Sequence, residues 1–516
     1  MRYQGHGLRG RGAHNCRLLL LGLTLAARNG YGAAAAGPSV PAPTPQQLQQ
    51  QQQQLQQLQQ QQLQQQALLR ALEQRLQKLE TGAATGAAAS APPATSAPAP
   101  GALIGSFGRD GYTLQSADGA DAIHFRGNLS VDGRYFSDAY TPATADTWLV
   151  RKLRPTLEGT LDGRYDFRFM PDFGQGKAIL QDGWGDARIA PWLVFQFGKF
   201  KAPVGLERLQ LEQYQRFIEA SLPSDLLPYR DLGFKVGGNL DGGVLNYDAG
   251  SFDGAPDGGS TDGNSVPDAD STGRFTWDGR LFAAPFLHSA VPGLQKLGFG
   301  VAETYVRDEG VATTTTTTSL LAAYKTPGQQ PMFSYRGDTV GAGGDYNNAT
   351  IANGMERRLV PQLYYYYGPV GLLSEYVQET QQVSRQTSAD TQRSATLRNT
   401  AWQVQGYWYL TGEQEGYDVS GPRRNFGDGS PGAWELVARY HEIHFDERAF
   451  SDGADSFANP ASAPRAAHAI GMGVNWYLTH NFKVQLDYEI THYDGGALAG
   501  NRPAERVLTS QFALIF

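Results

Sequence analysis

Residues 508–516 read Leu508-Thr-Ser-Gln-Phe-Ala-Leu-Ile-Phe516. Counting back from Phe516, every second residue is apolar or small: Leu514, Phe512, Ser510, Leu508. The interleaved set, Ile515, Ala513, Gln511 and Thr509, is mixed. A loose chain end is normally polar and frayed. This one reads as a strand tied into a sheet, with one face suited to an apolar medium.

The same rhythm runs backward through the chain. In 482–490, Phe482, Val484, Leu486, Tyr488 and Ile490 share one phase, while Lys483, Gln485, Asp487 and Glu489 share the other. Before them, Ile470, Met472, Val474, Trp476 and Leu478 alternate with small and polar residues, and Thr479-His-Asn481 makes a turn. At 124–135 the odd positions carry Phe125, Leu129, Val131 and Tyr135, and the even ones His124, Arg126, Asn128, Ser130, Asp132 and Arg134. Strands of about ten residues, tilted, span an outer membrane.

A soluble sandwich also alternates, so other features decide. Short turns alternate with long polar loops such as 253–273 and 308–350. Aromatics crowd strand ends, as in Tyr364-Tyr-Tyr-Tyr367, Trp402, Trp408, Trp434 and Trp476, which suits interfacial girdles. Charged residues are 18%, with 62 glycines, 25 tyrosines and 24 phenylalanines, and mean hydropathy is −0.41. That composition fits many half-apolar strands and excludes a bundle of membrane helices. At about 25 residues per strand and connection, the region 108–516 predicts an antiparallel transmembrane β-barrel of about sixteen strands, sealed by the 508–516 strand.

The N-terminal region has its own organisation. Arg2, Arg9, Arg11 and Arg17 precede an apolar run at 18–27 and an alanine run at 33–36, which predicts a signal peptide over 1–36. The only cysteine, Cys16, lies before the apolar run. Removing 1–36 removes five arginines and no acid, taking the formal charge from −7 to −12 and leaving no cysteine. A Pro-rich linker follows (37–45). Residues 46–80 are rich in Gln, with Leu48, Leu55, Leu69 and Leu76 at one heptad position and Leu58, Leu72 and Leu79 at the other. That register predicts a self-associating α-helical coiled coil, and a disordered glutamine tract is the alternative. Residues 81–107 read as an Ala/Pro linker.

The inward phase carries the candidate chemistry. Running the alternation through 148–169 sends Leu153, Leu157, Leu161, Tyr165, Phe167 and Phe169 to lipid, and Lys152, Arg154, Thr156, Glu158, Arg164, Asp166 and Arg168 to the lumen. With Arg126 and Arg134, and Arg188 if its strand keeps phase, one wall carries a row of cations. Guanidinium and ammonium groups can hand an oxyanion along such a row. The bland alternative is generic lumen charge, because Asp132, Glu158 and Asp166 sit among these cations. Lys199 and Lys201 share the phase of Phe195 and Phe197, where each would cost about 2–4 kcal/mol in mid-bilayer. Either Gly198 permits a bulge that swings them in, or they lie at the rim. The next segment, from 202 to about 225, is the candidate for an inward loop carrying Arg208 and Arg216 with Glu207, Glu212 and Glu219.

Enzyme readings find little support. His441-Glu-Ile-His444 lies in a strand-like stretch that would send its histidines to opposite faces, unlike a helical zinc motif. No phosphate-binding GxxxxGK loop occurs, and no nucleophile–base pair stands out. No cofactor or metal is expected, and the negative charge argues against nucleic acid.

The region 108–516 also resembles the phosphate-selective porin O and P family of bacterial outer membranes. The resemblance lies in Gly111-Tyr-Thr-Leu-Gln-Ser-Ala-Asp-Gly119, Arg126-Gly-Asn-Leu-Ser-Val-Asp-Gly-Arg134 and Phe197-Gly-Lys-Phe-Lys-Ala-Pro-Val-Gly-Leu-Glu-Arg208. It continues in Arg216-Phe-Ile-Glu-Ala-Ser-Leu-Pro223, Gly250-Ser-Phe-Asp-Gly254, Tyr367-Gly-Pro-Val-Gly371, Gly406-Tyr-Trp-Tyr-Leu-Thr-Gly-Glu413 and Asn475-Trp-Tyr-Leu478. It implies a homotrimer of sixteen-stranded barrels in outer-membrane lipid of a Gram-negative bacterium, each with a loop folded into its pore and the N-terminal segment periplasmic. It implies passive uptake of inorganic phosphate or polyphosphate, and places Lys199, Lys201 and Arg208 near the narrowing. A general or organic-acid porin, or a structural barrel tethered through its coiled coil, remains the alternative.

Overall fold

The computed structural model describes residues 103–108, 111–137, 146–254, 274–337 and 344–516. The signal-peptide, linker and coiled-coil readings over 1–102 lie outside them. Leu103–Gly108, partly inside the stretch read as linker, is already a strand, β1, paired with β2 (Gly111–Ser116). The barrel proper begins with β3 (Ala122–Phe136), β4 (Thr147–Leu161), β5 (Tyr165–Asp172), β6 (Ile179–Ala190) and β7 (Leu193–Lys201). It continues with β8 (Arg230–Leu240), β9 (Leu245–Phe252), β10 (Thr276–Ala283) and β11 (Leu297–Glu309). Two small hairpins follow: β12 (Val311–Ala312) with β13 (Thr317–Thr318), and β14 (Tyr324–Lys325) with β15 (Pro331–Phe333). The wall resumes with β16 (Thr350–Tyr367), β17 (Val370–Ser388), β18 (Thr391–Tyr409), β19 (Ala433–His444), β20 (Pro464–Tyr477), β21 (Phe482–Gly495) and β22 (Glu505–Ile515).

Sixteen strands, β3–β11 and β16–β22, form one antiparallel cylinder, each paired to its neighbour in chain order. β22 closes it against β3, from Val507↔Phe136 to Ile515↔Asn128. Phe516 adds two bonds to Gly127, N–H to O at 3.0 Å and O from N–H at 2.8 Å. A Cβ on Gly127 would stand 2.6 Å from Phe516 Cζ, so only glycine lets that ring lie on the wall. Closure gives each of these strands a partner on both sides.

The alternation resolves into inside and outside as the sequence implies. On β22, Phe512 and Leu514 face out, while Thr509, Gln511 and Ala513 are buried inside. Leu129, Leu153, Leu157, Leu161, Ile470, Met472 and Leu486 face out with them. Exposed aromatics gather at the strand ends: Phe125, Tyr165, Trp192, Phe299, Tyr367 and Trp408 at one, Trp148, Phe275, Trp277 and Tyr305 at the other. The tyrosine run at 364–367 does not act as a unit. Tyr366 is buried in the lumen beside Tyr364, and Tyr367 is exposed.

The two ends differ. Connections such as 162–164, 191–192, 241–244, 368–369 and 478–481 are short and define a turn end; 202–229, 310–349 and 445–463 emerge at the loop end. Strand length is uneven as well. β5, β9 and β10 have 8 residues, enough for the apolar band, whereas β17 and β18 have 19 and rise well past it.

The interior divides into two halves. Against β11 and β16–β21, inward Val360, Val377, Val383, Leu397 and Ile443 form a continuous apolar cluster with residues from three loops. Loop 310–349 supplies Tyr324, Phe333 and Tyr335, loop 445–463 supplies Phe450 and Phe457 beside Phe445, and 202–229 supplies Val204, Leu222, Leu226 and Leu227. Phe333 stacks on Phe445 at 3.9 Å between ring centroids. The other half, along β3–β8, is lined by charge.

Candidate functional site

Residues 202–229 connect β7 to β8 and fold inward, as the sequence implies. Gly205 starts a single helical turn, Leu206–Leu209, with φ +57, and a Cβ there would meet Leu227 Cδ1 at 2.6 Å. The segment is pinned on both sides of the lumen. Toward β16–β21, Glu375 accepts the backbone N–H groups of Leu206 and Glu207, His441 Nδ1 accepts that of Leu222 at 2.9 Å, and Asp487 that of Ile218 at 2.8 Å. Arg216, 1% exposed, bridges Glu415 at 2.9 Å and Glu435 at 2.8 Å. Glu207 accepts from Ser221, Ser224, Gln403 and Gln405. Burial would raise the Glu207 carboxyl, but Arg439 and the two serine hydroxyls outweigh it and hold it low.

Toward β3–β8 the loop presents carboxylates to the cation row. Glu219 meets Arg134 at 2.6 Å and Arg151 at 3.3 Å. Glu212 meets Arg154, Lys152 at 3.4 Å and Arg230 at 3.9 Å, and accepts from Asn128 Nδ2 at 2.9 Å. Burial would raise both carboxyls. Arg154, Lys152 and Arg230 hold Glu212 well below the usual range, and Arg151 and Arg134 lower Glu219.

Most of the predicted lumen cations face inward, and most are matched by acids. Arg126 and Arg168 share Glu158, each at 2.7 Å. Arg188 pairs with Asp166 at 2.6 Å, and Arg154 with Asp172 at 2.6 Å. Arg164 sits exposed in the 162–164 turn, at the rim rather than on the wall. Lys199 is buried at 6% exposure. Lys201 turns inward and donates to Gln210 O at 2.5 Å. Gly198 adopts φ +111 with the ladders to β6 and β8 unbroken at that point, so the expected bulge is absent and a twisted glycine does its work. Arg208 is engaged within the loop, donating to Ser224 O at 2.7 Å and stacking on Tyr229 at 4.7 Å.

Two further lumen cations escape strict alternation. Arg151 is the extra residue of a β-bulge opposite Ser130 and Val131, so Arg151 and Lys152 both reach inward. Its sequence signal is the outward set Trp148, Val150, Leu153, Leu157, whose phase slips between 150 and 153. Arg230, register partner of Lys201, shares the nominal phase of outward Phe234 yet turns in at the root of the loop and holds Asp182 at 2.7 Å.

Between the loop and β3–β8 lies a cavity of about 400 Å3 that reaches the turn end at His480 and Phe516. Arg126, Arg168, Lys201, Arg230 and Lys235 line it, against Glu158, Asp182 and Glu212. Such a space can attract an oxyanion and bond it from several sides while leaving it free to depart. Catalytic chemistry finds no footing in the histidine pair: His441 is buried with Nε2 on Glu489 at 2.5 Å, whereas His444 is 53% exposed on the outer face. Among the described residues no His/Cys/Asp/Glu group is placed to hold a metal.

Comparison with known proteins completes the picture. The family described as phosphate-selective porin O and P matches residues 123–516. No curated protein matches by sequence. Among solved structures, the outer membrane channel DcaP of Acinetobacter baumannii is similar at 10% identity, with 77% of this chain and 98% of that one covered and a TM-score of 0.47. OmpT of Vibrio cholerae gives 11%, 77%, 98% and 0.46. An anion-selective porin from Comamonas acidovorans gives 12%, 77%, 100% and 0.44.

Proposed function

The chain belongs to the phosphate-selective porin O and P family, and from that premise we propose that it is an outer-membrane pore through which small anions, inorganic phosphate or polyphosphate among them, diffuse along the β3–β8 side of the lumen. The observation that carries the reading is the excess of cations over carboxylates among the side chains lining the cavity between that wall and the inward loop. Selection of anions by Arg and Lys in a constricted lumen needs no net positive charge on the protein, only local placement. The turn end faces the periplasm in this reading, with the signal peptide removed, the Gln/Leu segment forming a periplasmic coiled coil and the barrels associating as trimers.

The second reading, a general or organic-acid porin without phosphate selectivity, draws on the ion pairs. Arg126, Arg134, Lys152, Arg154, Arg168 and Arg188 each have a carboxylate partner, which blunts their pull on a solute. Planar-bilayer recording separates the two. Chloride-over-potassium preference together with current block by phosphate and pyrophosphate, weakened in Arg154→Ala and Arg168→Ala, supports the phosphate pore. Anion preference without block supports the general porin. Cation preference removes the anion reading, and absence of current removes the channel.

A further inference from the structure

The loop carboxylates are not equivalent. Both oxygens of Glu207 are bonded by neutral donors, the Ser221 and Ser224 hydroxyls and the Gln405 amide, at its junction with the far wall. Glu219 is enclosed by Arg134, Arg151 and Gln329. Only Glu212 of the three borders the charged cavity. It is approached from three different strands: Asn128 on β3, Lys152 and Arg154 on β4, and Arg230 on β8. A guanidinium fork, an ammonium and an amide around one carboxylate form a donor set that also suits a phosphate-like oxyanion.

We propose that Glu212 is a tethered stand-in for the transported oxyanion, holding the seat formed by Asn128, Lys152, Arg154 and Arg230 and setting how tightly that seat takes an anion from the lumen. The proposal rests on the anion-pore reading and adds the residue that tunes it.

Two observations beyond the contacts point to a seat rather than a simple salt bridge. Arg230 is 3% exposed; its Nε is spent on Asp182, while Nη1 is enclosed without a hydrogen-bond partner, so the seat keeps an unused donor. A buried guanidinium N–H left unbonded is costly, and Arg230 is one of the residues that line the cavity beside Glu212. The second is charge. Lys152, Arg154, Lys201 and Arg230 stand against Glu212, Asp172 and Asp182; of these, Lys201, Arg230, Asp182 and Glu212 line the cavity, and Glu212 is the acid carried by the loop rather than by the wall. Without its charge, these four cations would be balanced by two acids, and the local field on an arriving phosphate would be more attractive. With it, an arriving anion competes for the same donors, and binding stays weak enough for release.

The test is recording of the full-length protein in planar bilayers in KCl, with added orthophosphate and a salt gradient. Glu212→Gln is expected to lower the half-blocking phosphate concentration about tenfold or more, the scale of a close charge contact, and to raise the chloride-to-potassium permeability ratio. Arg230→Gln in the same background is expected to cancel the gain. Unchanged or weaker block in Glu212→Gln, with wild-type anion preference intact, would overturn the proposal and leave the anion reading standing. A wild-type channel without anion preference or phosphate block would overturn both. Should neither Glu212→Gln nor Glu212→Ala form channels, Glu212 is a strut of the loop and the proposal falls.

Discussion

The wall of β3–β8 and the wall of β16–β21 obey the same two-residue rhythm, yet their inner faces do opposite things. One turns Arg126, Arg168 and Arg230 toward a cavity; the other turns Val360, Val377, Leu397 and Ile443 into a packed apolar mass. Alternation therefore separates inside from outside but says nothing of what fills the inside. Ion pairs differ accordingly. Arg168, 24% exposed, holds Glu158 beside open space, whereas Arg216, 1% exposed, locks two fully enclosed glutamates.

That contrast is most sharply broken at Arg216. Arg216→Ala strands Glu415 and Glu435 in the interior and is expected to cost about 3–5 kcal/mol, read as a lower unfolding temperature in detergent and noisier single-channel current. Phe333→Ala opens the apolar half at its closest stack and is expected to cost about 3 kcal/mol, with raised conductance as the loops loosen. Retained stability in either variant would mean that the far wall is not the anchored half.

A smaller effect depends on pH. Asp225, in the inward loop, has Oδ2 enclosed without a partner, and burial raises its carboxyl to about 7 against the opposing pull of Arg208. Its folded value lies above its ordinary 3.8, so its contribution is full below that value and is lost as pH rises toward about 7. Asp225→Asn is expected to flatten that part of the melting-temperature profile. Gly127→Ala forces the Phe516 ring off the closing seam and is expected to cost about 1–2 kcal/mol. Arg168→Ala is expected to change stability by less than about 1 kcal/mol while lowering anion preference measurably in reversal-potential recordings. A large stability loss there would erase the distinction between the two walls.

Much of this was legible in the residues. The outward set of β22, the strand number, the inward loop and the opposite faces of His441 and His444 all follow from period two and loop length. Two kinds of feature did not follow. Phase slips are local: Arg151 enters through a bulge, and Lys201 and Arg230 through a twisted glycine and a bending loop root. Long-range matching is invisible to periodicity: the loop carrying Glu212 is expected to fold inward, but nothing in the rhythm matches it to Lys152, Arg154 and Arg230. The apolar half did leave a trace. β17 begins Val370-Gly-Leu-Leu-Ser-Glu-Tyr-Val377, where Leu373 and Val377 put apolar side chains in the inward phase beside Glu375, while Val370, Leu372 and Tyr376 keep the outward one apolar.

A cylinder of sixteen strands is wide enough for a broad bore, but its circumference here is not the gauge of its passage. With one flank of the interior given over to interlocked loops, any traffic is crowded into an eccentric gutter along the opposite flank, so throughput answers to the seating of one inward segment rather than to the number of staves.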